Sequence, residues 1–320
     1  MDCLSDRDME TLKGICSGGV IRGVDLSALS HWRIGGSADL LLRPASTAEV
    51  IALRRWFFSR DIPHMVIGNT TNLLFADEGL RVPCLQIGQA LSGVGIEGEE
   101  VFAGAGAWVP GLARTLMLHS LSGGEHMSGV PGALGGLICM NGGSNGRSVG
   151  DNVVSVESVD AQGLRINREV LECGFDYRRS VFQTNGEIIT SVHLRFLPGD
   201  QKAIRAEMLA DLASRRKKFP LKEPSCGSVF KRNAAMYADI GPPGAVIERL
   251  GFKGMCVGGA MVSPKHANFI VNTGHAKAAD ILEMISRIRD TVFAQTGYRL
   301  HTEACYVTLD GNVQPVDHVL

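Results

Sequence analysis

The spacing of apolar residues predicts a chain of short strands and helices with one long amphipathic helix near its end. Over residues 276–296, Ile281, Leu282, Ile285, Ile288, Val292 and Phe293 recur at helical spacing, and Gly297 follows as a stop. Residues 46–58 open with Ser46-Thr47-Ala48-Glu49, the signature of a capping box, and continue through Val50, Ile51, Leu53, Trp56 and Phe57. That helix is expected between two strands, 38–42 and 64–67. Further helices are expected over 108–121 and 202–218, the second ending in Arg215-Arg216-Lys217-Lys218. Continuous or alternating apolar runs predict strands at 153–159 and 188–197.

Around residues 198–224 the pattern changes to Pro198-Gly199-Asp200, a charged helix, then Phe219-Pro220 and Glu223-Pro224. A domain boundary is expected there. Before it the chain mixes short strands and turns; after it strand and helix alternate. No internal repeat, low-complexity tract, G-x-G-x-x-G or Walker A sequence occurs, which disfavours Rossmann and P-loop nucleotide sites.

At 320 residues the chain is long enough for two or three domains. A hydrophobic fraction of 45% and a net charge of −1 describe an ordinary soluble protein, with no electrostatic reason to expect nucleic acid or a membrane surface as partner. No run approaches the ~18 apolar residues that span a bilayer. The start, Met1-Asp2-Cys3-Leu4, lacks a basic segment and an apolar segment, so no signal peptide is expected. Eight scattered cysteines without a C-x-x-C pair read as reduced thiols, mostly core residues, and no metal site is expected. The compartment expected is the cytoplasm.

Candidate chemistry begins at residues 129–146, where seven of eighteen residues are glycine. Glycine gives up packing, and the usual return is close approach of main chain to a ligand, often with N–H groups aimed at phosphate. The alternative is a tightly packed pair of turns. Residues 66–74, with Gly68-Asn69-Thr70-Thr71-Asn72-Leu73, form a second turn-rich segment that by itself reads as a plain loop. Residues 175–182 bracket Arg178 and Arg179 with Tyr177 and Phe182, where a guanidinium either lies on the surface or offers fixed donors to an oxyanion. Residues 224–232 place Ser228 after Gly227 and before Lys231, with no G-x-S-x-G elbow to support a hydrolase. Residues 257–272 set polar side chains in an apolar context. Glu303 enters a strand, where an acid is usually solvent-facing; a buried one could act as an acid.

Taken in order, Arg33-Ile34-Gly35-Gly36, V-P-G-A-L-G-G with M-N-G-G, Y-R-x-S-x-F, P-S-x-G-S-x-F-K and K-H-A-N-F-I-V-N make the chain resemble the MurB family, flavoenzymes of peptidoglycan precursor synthesis. The resemblance runs over nearly the whole chain and suits the shorter form of the family. It implies an α+β chain: a vanillyl-alcohol-oxidase/PCMH-type FAD-binding domain at 29–199 after an N-terminal extension at 1–28, then a smaller α+β substrate domain at 200–320. It implies bound FAD, lined by Gly68, Asn69, Thr70, Thr71, Asn72, Leu73, Pro131, Gly132, Gly135, Gly136, Asn141, Gly142 and Gly146. NADPH would be the co-substrate and the enolpyruvyl group of a UDP-sugar the acceptor, in a monomer. Arg178 and Glu303 would stabilise the charge that develops on substrate, and Ser228 would deliver the proton. Tyr177, Arg215, Lys218, Lys231, Arg232 and Met261 would face substrate.

The chain also departs from that family. Gly68-Asn69-Thr70 stands where G-x-G is usual, Ser144-Asn145-Gly146 where A-Y-G is usual, Arg232 where an Asn is expected and Met261 where a Gln is expected. An added cation and a lost amide alter which group is recognised. Two alternatives follow: a paralogue reducing another anionic substrate, and a flavin-binding protein without catalysis, which would have no need of Ser228, Arg178 and Glu303 together. Cys226, close to the presumed acid, is reactive or inert on sequence grounds alone.

Overall fold

The computed structural model describes residues 4–320. Met1, Asp2 and Cys3, at the start of the segment from which no signal peptide is expected, lie outside them. The chain forms two compact units that are not consecutive along it. The first comprises Met1–Arg22, Leu40–Asn69 and Pro83–Ser214; the second comprises Gly23–Asp39, Thr70–Val82 and Arg215–Leu320. The change at Ser214/Arg215 falls inside the region where composition shifts, but residues 23–39 and 70–82 join the later unit.

In the first unit an antiparallel sheet runs in the order Arg165–Glu169, Val153–Val159, Ile188–Arg195, Glu100–Gly104, Val94–Glu97. Its register is set by pairs such as Val192 with Val156 and with Ala103, all turned into the core. Parallel pairing joins Leu41 and Met65 to Cys84, and the helix Thr47–Phe58 makes the crossover. Leu53 and Phe57 of that helix, Leu112 and Leu116 of the helix Val109–Leu118, and Leu134 and Ile138 of the helix Leu134–Cys139 share one core with the sheet. The N-terminal helix Asp6–Ile15 belongs to it too, through Met9 and Leu12. Met9, Leu12 and Cys16, within the stretch expected as an extension, thus contribute core.

The expected capping box is half formed. Ser46 Oγ accepts from the Glu49 N–H at 3.2 Å. The Glu49 carboxylate instead accepts from Ala45 N–H at 2.7 Å and from the Ser17 hydroxyl at 2.5 Å. A chain segment 32 residues away offers the better donor, and that partner is invisible to local pattern.

Buried Arg54 on the same helix holds three remote groups: the Asp160 carbonyl at 2.8 Å, the Gly186 carbonyl at 2.7 Å and His64 Nε2 at 2.8 Å. His64 must be neutral to accept this bond. Burial first, and the Arg54 charge second, depress its pKa to about 4. The folded value lies below the ordinary 6.5, so the stability carried by neutral His64 is full above pH 6.5 and declines as pH falls to 4. We expect a loss of up to about 3 kcal/mol across that window. Unfolding midpoints measured from pH 7 to pH 4 should flatten in His64→Gln relative to wild type; parallel curves would contradict the assignment.

In the second unit, the strands Cys256–Val257, Ala260–Val262 and Ile270–Asn272 form an antiparallel sheet. The long helix Ala278–Thr296 shares a core with it through Ile281, Met284, Ile285, Ile288 and Val292, and left-handed Gly297 ends the helix as expected. Phe293 departs from the expected stripe: it is 44% exposed, one residue and about 100° around the helix from buried Val292, under the Arg299 guanidinium. A second sheet orders Val313–Pro315, Cys305–Val307 and Leu73–Phe75, the last pair parallel. Cys16, Cys84, Cys173 and Cys226 are buried thiols. Among the described residues no helix is long and apolar enough to cross a membrane.

Candidate functional site

Three of the motifs converge in the second unit. Phe230 and Thr302 form an antiparallel bridge, extended by Glu303 N–H to Val229 O at 2.7 Å and Lys231 N–H to His301 O at 2.8 Å. Ser228, following left-handed Gly227, and Glu303 are thereby placed on adjoining main chains. Phe230 and Thr302 turn inward at 2% and 1% exposure. Strand alternation sends Lys231 and Glu303 to the other face, where both are half-buried. Asn72 of the presumed cofactor turn is fastened to the same place: its amide donates to Glu303 O at 2.8 Å, and its carbonyl accepts from Cys305 N–H at 3.0 Å.

Asn268 and Asn272 hold this arrangement, and neither was singled out from sequence although both lie in K-H-A-N-F-I-V-N. The Asn268 side chain accepts from Phe230 N–H and donates to Phe230 O, both at 3.0 Å. Asn272 Nδ2 donates to Trp32 O at 2.9 Å, while Trp32 Nε1 donates to Ile270 O at 2.8 Å. The Arg33-Ile34-Gly35-Gly36 segment is thus anchored to the same strand. Asp317 fixes Thr302 through the threonine N–H and hydroxyl, at 2.9 and 2.5 Å. Polar side chains inside an apolar, strand-like run are the signal that the sequence carried for these residues.

Arg215 and Lys218 end the helix Gln201–Lys218. The Arg215 guanidinium lies 5.0 Å from the Phe219 ring centre, and Phe219 contacts His266 and Phe269. Lys218 is close enough to lower the His266 pKa, after burial and Lys253. Arg232 stacks on Tyr237 at 4.3 Å, which holds the extra cation in one orientation. Met261 lies half-buried on the middle strand of its sheet. Cys226 is inert by environment: burial, and then the nearby Cys305, push its pKa well up, and its thiol donates to Leu73 O at 3.4 Å.

Arg178 is positioned in the first unit. Asp176 and Arg179 exchange main-chain hydrogen bonds of 3.1 and 3.0 Å, closing a tight turn over Tyr177 and left-handed Arg178. Asn141 Nδ2 donates to Asp176 O at 2.9 Å, and Arg178 Nη2 donates to Gly143 O at 3.2 Å. The arginine turn and the glycine-rich segment therefore form one body.

Packing explains several of those glycines. A Cβ at Gly143 would lie 2.0 Å from Arg147 O, and one at Gly142 2.5 Å from the Leu137 side chain. The Leu134 and Gly135 amides donate to Ala107 and Ala105 carbonyls. Gly136 differs: it is exposed, and a Cβ there would meet nothing within 4 Å. Thr70 takes the left-handed conformation, φ 53°, that glycine adopts most easily, and its hydroxyl donates to Leu29 O at 2.7 Å. A β-branched residue there costs roughly 1–2 kcal/mol, offset in part by that bond.

FAD fits these residues. Gly136 presents bare, exposed main chain within the glycine-rich segment, and a Cβ there would meet nothing within 4 Å. Main chain without a side chain lets a cofactor approach its N–H groups closely.

A family model for an FAD-binding domain matches residues 38–167, and one for the C-terminal domain of UDP-N-acetylenolpyruvoylglucosamine reductase matches residues 219–307. The fold is accordingly a PCMH-type FAD-binding domain followed by a MurB C-terminal domain. UDP-N-acetylenolpyruvoylglucosamine reductase 1 of Corynebacterium glutamicum is 39% identical over 92% of this chain and 88% of its own. The enzyme of that name from Moorella thermoacetica is 40% identical over 89% of this chain and 92% of its own. The crystal structure of UDP-N-acetylenolpyruvylglucosamine reductase (MurB) from Thermus caldophilus superposes with a TM-score of 0.77, at 30% identity, covering 90% of this chain and 98% of that one. The chain belongs to the UDP-N-acetylenolpyruvoylglucosamine reductase family, MurB.

Proposed function

We propose that this protein reduces the enolpyruvyl group of UDP-N-acetylglucosamine-enolpyruvate to UDP-N-acetylmuramate, the reductive step of peptidoglycan precursor synthesis, using bound FAD and NADPH. The main-chain bond from Glu303 N–H to Val229 O supports this reading, because it pairs the segment that carries Ser228 with the segment that carries Glu303 in a chain of this family. FAD, when bound and reduced, would supply the hydride for the alkene. The addition leaves negative charge next to the substrate carboxylate, so donors must stand ready where it develops. Arg178, held by Gly143 O and the Asn141–Asp176 bond, offers a guanidinium whose entropy is already lost. Glu303 serves as a second donor when protonated, and Ser228 delivers the proton to carbon, with Lys231 stabilising the serine oxygen.

Gly68, Asn69, Thr70, Thr71, Asn72 and Leu73, with Pro131, Gly132, Gly135, Gly136, Asn141, Gly142 and Gly146, are assigned to the cofactor. Tyr177, Arg215, Lys218, Lys231, Arg232 and Met261 are assigned to the UDP-sugar. The cofactor domain is placed at 29–199 and the substrate domain at 200–320, with the protein a cytoplasmic monomer. NADPH oxidation by the purified yellow protein should accelerate at least a hundredfold on adding UDP-N-acetylglucosamine-enolpyruvate, as positioned proton transfer alone contributes about 10²–10⁴. NADPH oxidation indifferent to that sugar would overturn the proposal.

A further inference from the structure

Glu303 follows directly on the step formed by Phe230 and Thr302, and both outer sides of that step are closed by side chains. The ladder bonds are made by the flanking residues, Glu303 N–H to Val229 O at 2.7 Å and Lys231 N–H to His301 O at 2.8 Å, so the N–H groups of Phe230 and Thr302 point outward. On the strand that follows Ser228, Asn268 takes the N–H and the carbonyl of Phe230. On the strand of Glu303, Asp317 Oδ1 accepts from the Thr302 N–H at 2.9 Å and from its hydroxyl at 2.5 Å.

Asp317 belongs to residues 308–320, which lie beyond the span 219–307 matched by the C-terminal domain of the family. These residues return to Thr302 by local rules. Thr308 N–H donates to Asn312 O at 3.0 Å around left-handed Gly311, and Val313–Pro315 then pairs antiparallel with Cys305–Val307. Val316 N–H donates to Ala304 O at 3.1 Å, and the Val316 side chain is buried in the core of the second unit. The next residue is thereby delivered to Thr302. Asp317 N–H donates to the Thr302 hydroxyl at 3.2 Å, the Asp317 side chain is 4% exposed, and His301 Nδ1 donates to its second oxygen at 3.0 Å.

Burial pushes the Asp317 carboxyl up, but the bonds from Thr302 and His301 outweigh that and hold it below the usual carboxylate range, so it is ionised at neutral pH. Burying an ion costs stability that an apolar contact would not. What the ion supplies here is a fixed main chain. Asp317 holds the N–H of Thr302, Val229 O holds the N–H of Glu303, and the Asn72 amide holds the carbonyl of Glu303. A main chain pinned on both sides of one peptide leaves the Glu303 side chain little but its own rotamers. We propose that Asp317 is a positioning residue for the reductive step: residues 308–320 fold back to fix Thr302, and through it the orientation of the Glu303 carboxyl. This inference rests on the role assigned to Glu303 above and goes beyond it in naming what holds that carboxyl in place.

The test uses the full-length holoenzyme in single turnovers, with the flavin bleached by NADPH and then reoxidised by saturating UDP-N-acetylglucosamine-enolpyruvate. Asp317→Ala should leave FAD content and bleaching at wild-type values and slow reoxidation at least about tenfold, since a group misplaced by about 1 Å can cost a hundredfold. Asp317→Asn keeps an oxygen for Thr302 and should recover most of that rate. The decisive comparison adds Glu303→Gln. In that background Asp317→Ala should cost less than about threefold more, because the two changes disable one device. Thr302→Val, similar in shape but without the hydroxyl that Asp317 holds, goes through the same cycle and decides the matter if Asp317→Ala does not fold. Reoxidation within about threefold of wild type in the folded variant, or equal factors lost with and without Glu303, would mean that the segment merely supports the fold, and would overturn the inference. Glu303→Gln reoxidising at the wild-type rate would remove the role of Glu303 itself. Wild-type flavin that the sugar fails to reoxidise would sink the proposed function, an outcome distinct from the others.

Discussion

Ser228→Ala is expected to purify with FAD, to accept electrons from NADPH at the wild-type rate, and then to turn over the enolpyruvyl sugar 10²–10⁴-fold more slowly, the usual contribution of a positioned proton donor. The selectivity follows from placement. Ser228 is carried by the bridged segment of the second unit, whereas the glycine-rich loop belongs to the first. Removing one hydroxyl leaves the Phe230–Thr302 bridge and the Glu303–Val229 bond intact, since both are main-chain interactions. Stopped-flow absorbance separates the two half-reactions: bleaching by NADPH should be unchanged, and recovery on adding substrate should be slow. Recovery within threefold of wild type would remove Ser228 as the proton source.

The second large effect is on stability. Asn268→Ala should lower unfolding free energy by about 2–4 kcal/mol, because it deletes two hydrogen bonds and strands the buried N–H and C=O of Phe230 without partners. The same change frees the strand that carries Ser228 and Lys231, so turnover should fall while FAD content stays near one per chain. Urea unfolding gives the first quantity and flavin absorbance the second. A loss below 1 kcal/mol would mean that other contacts hold Phe230.

Asn268 also illustrates how far a linear reading goes. Its segment was conspicuous, because polar residues sat where a strand pattern called for apolar ones, yet the role first suggested by such residues is contact with a ligand. The structure gives Asn268 and Asn272 to main-chain partners 38 and 240 residues away. The glycines of 129–146 divide in the same way. Gly142 and Gly143 are required by their protein neighbours, and Gly136 remains open. Counting glycines could not make that distinction, since crowding is a property of atoms brought together by folding.

What the sequence determined by itself was local and periodic. Helical spacing located the helices near 47–58, 201–218 and 278–296, and Gly297 stopped the last because a left-handed terminus favours a residue without Cβ. Ordered motifs identified the family. Only tertiary structure decided the long-range partners: Asp77 caps Ala278 and Ala279 across some 200 residues, Arg54 meets His64 and two remote carbonyls, and Asn72 joins Glu303. It also left His126 and Ser128 buried without partners. The physical reason is that propensity and periodicity depend on neighbours within a few residues, whereas satisfaction of a buried polar group depends on which distant donor the topology delivers.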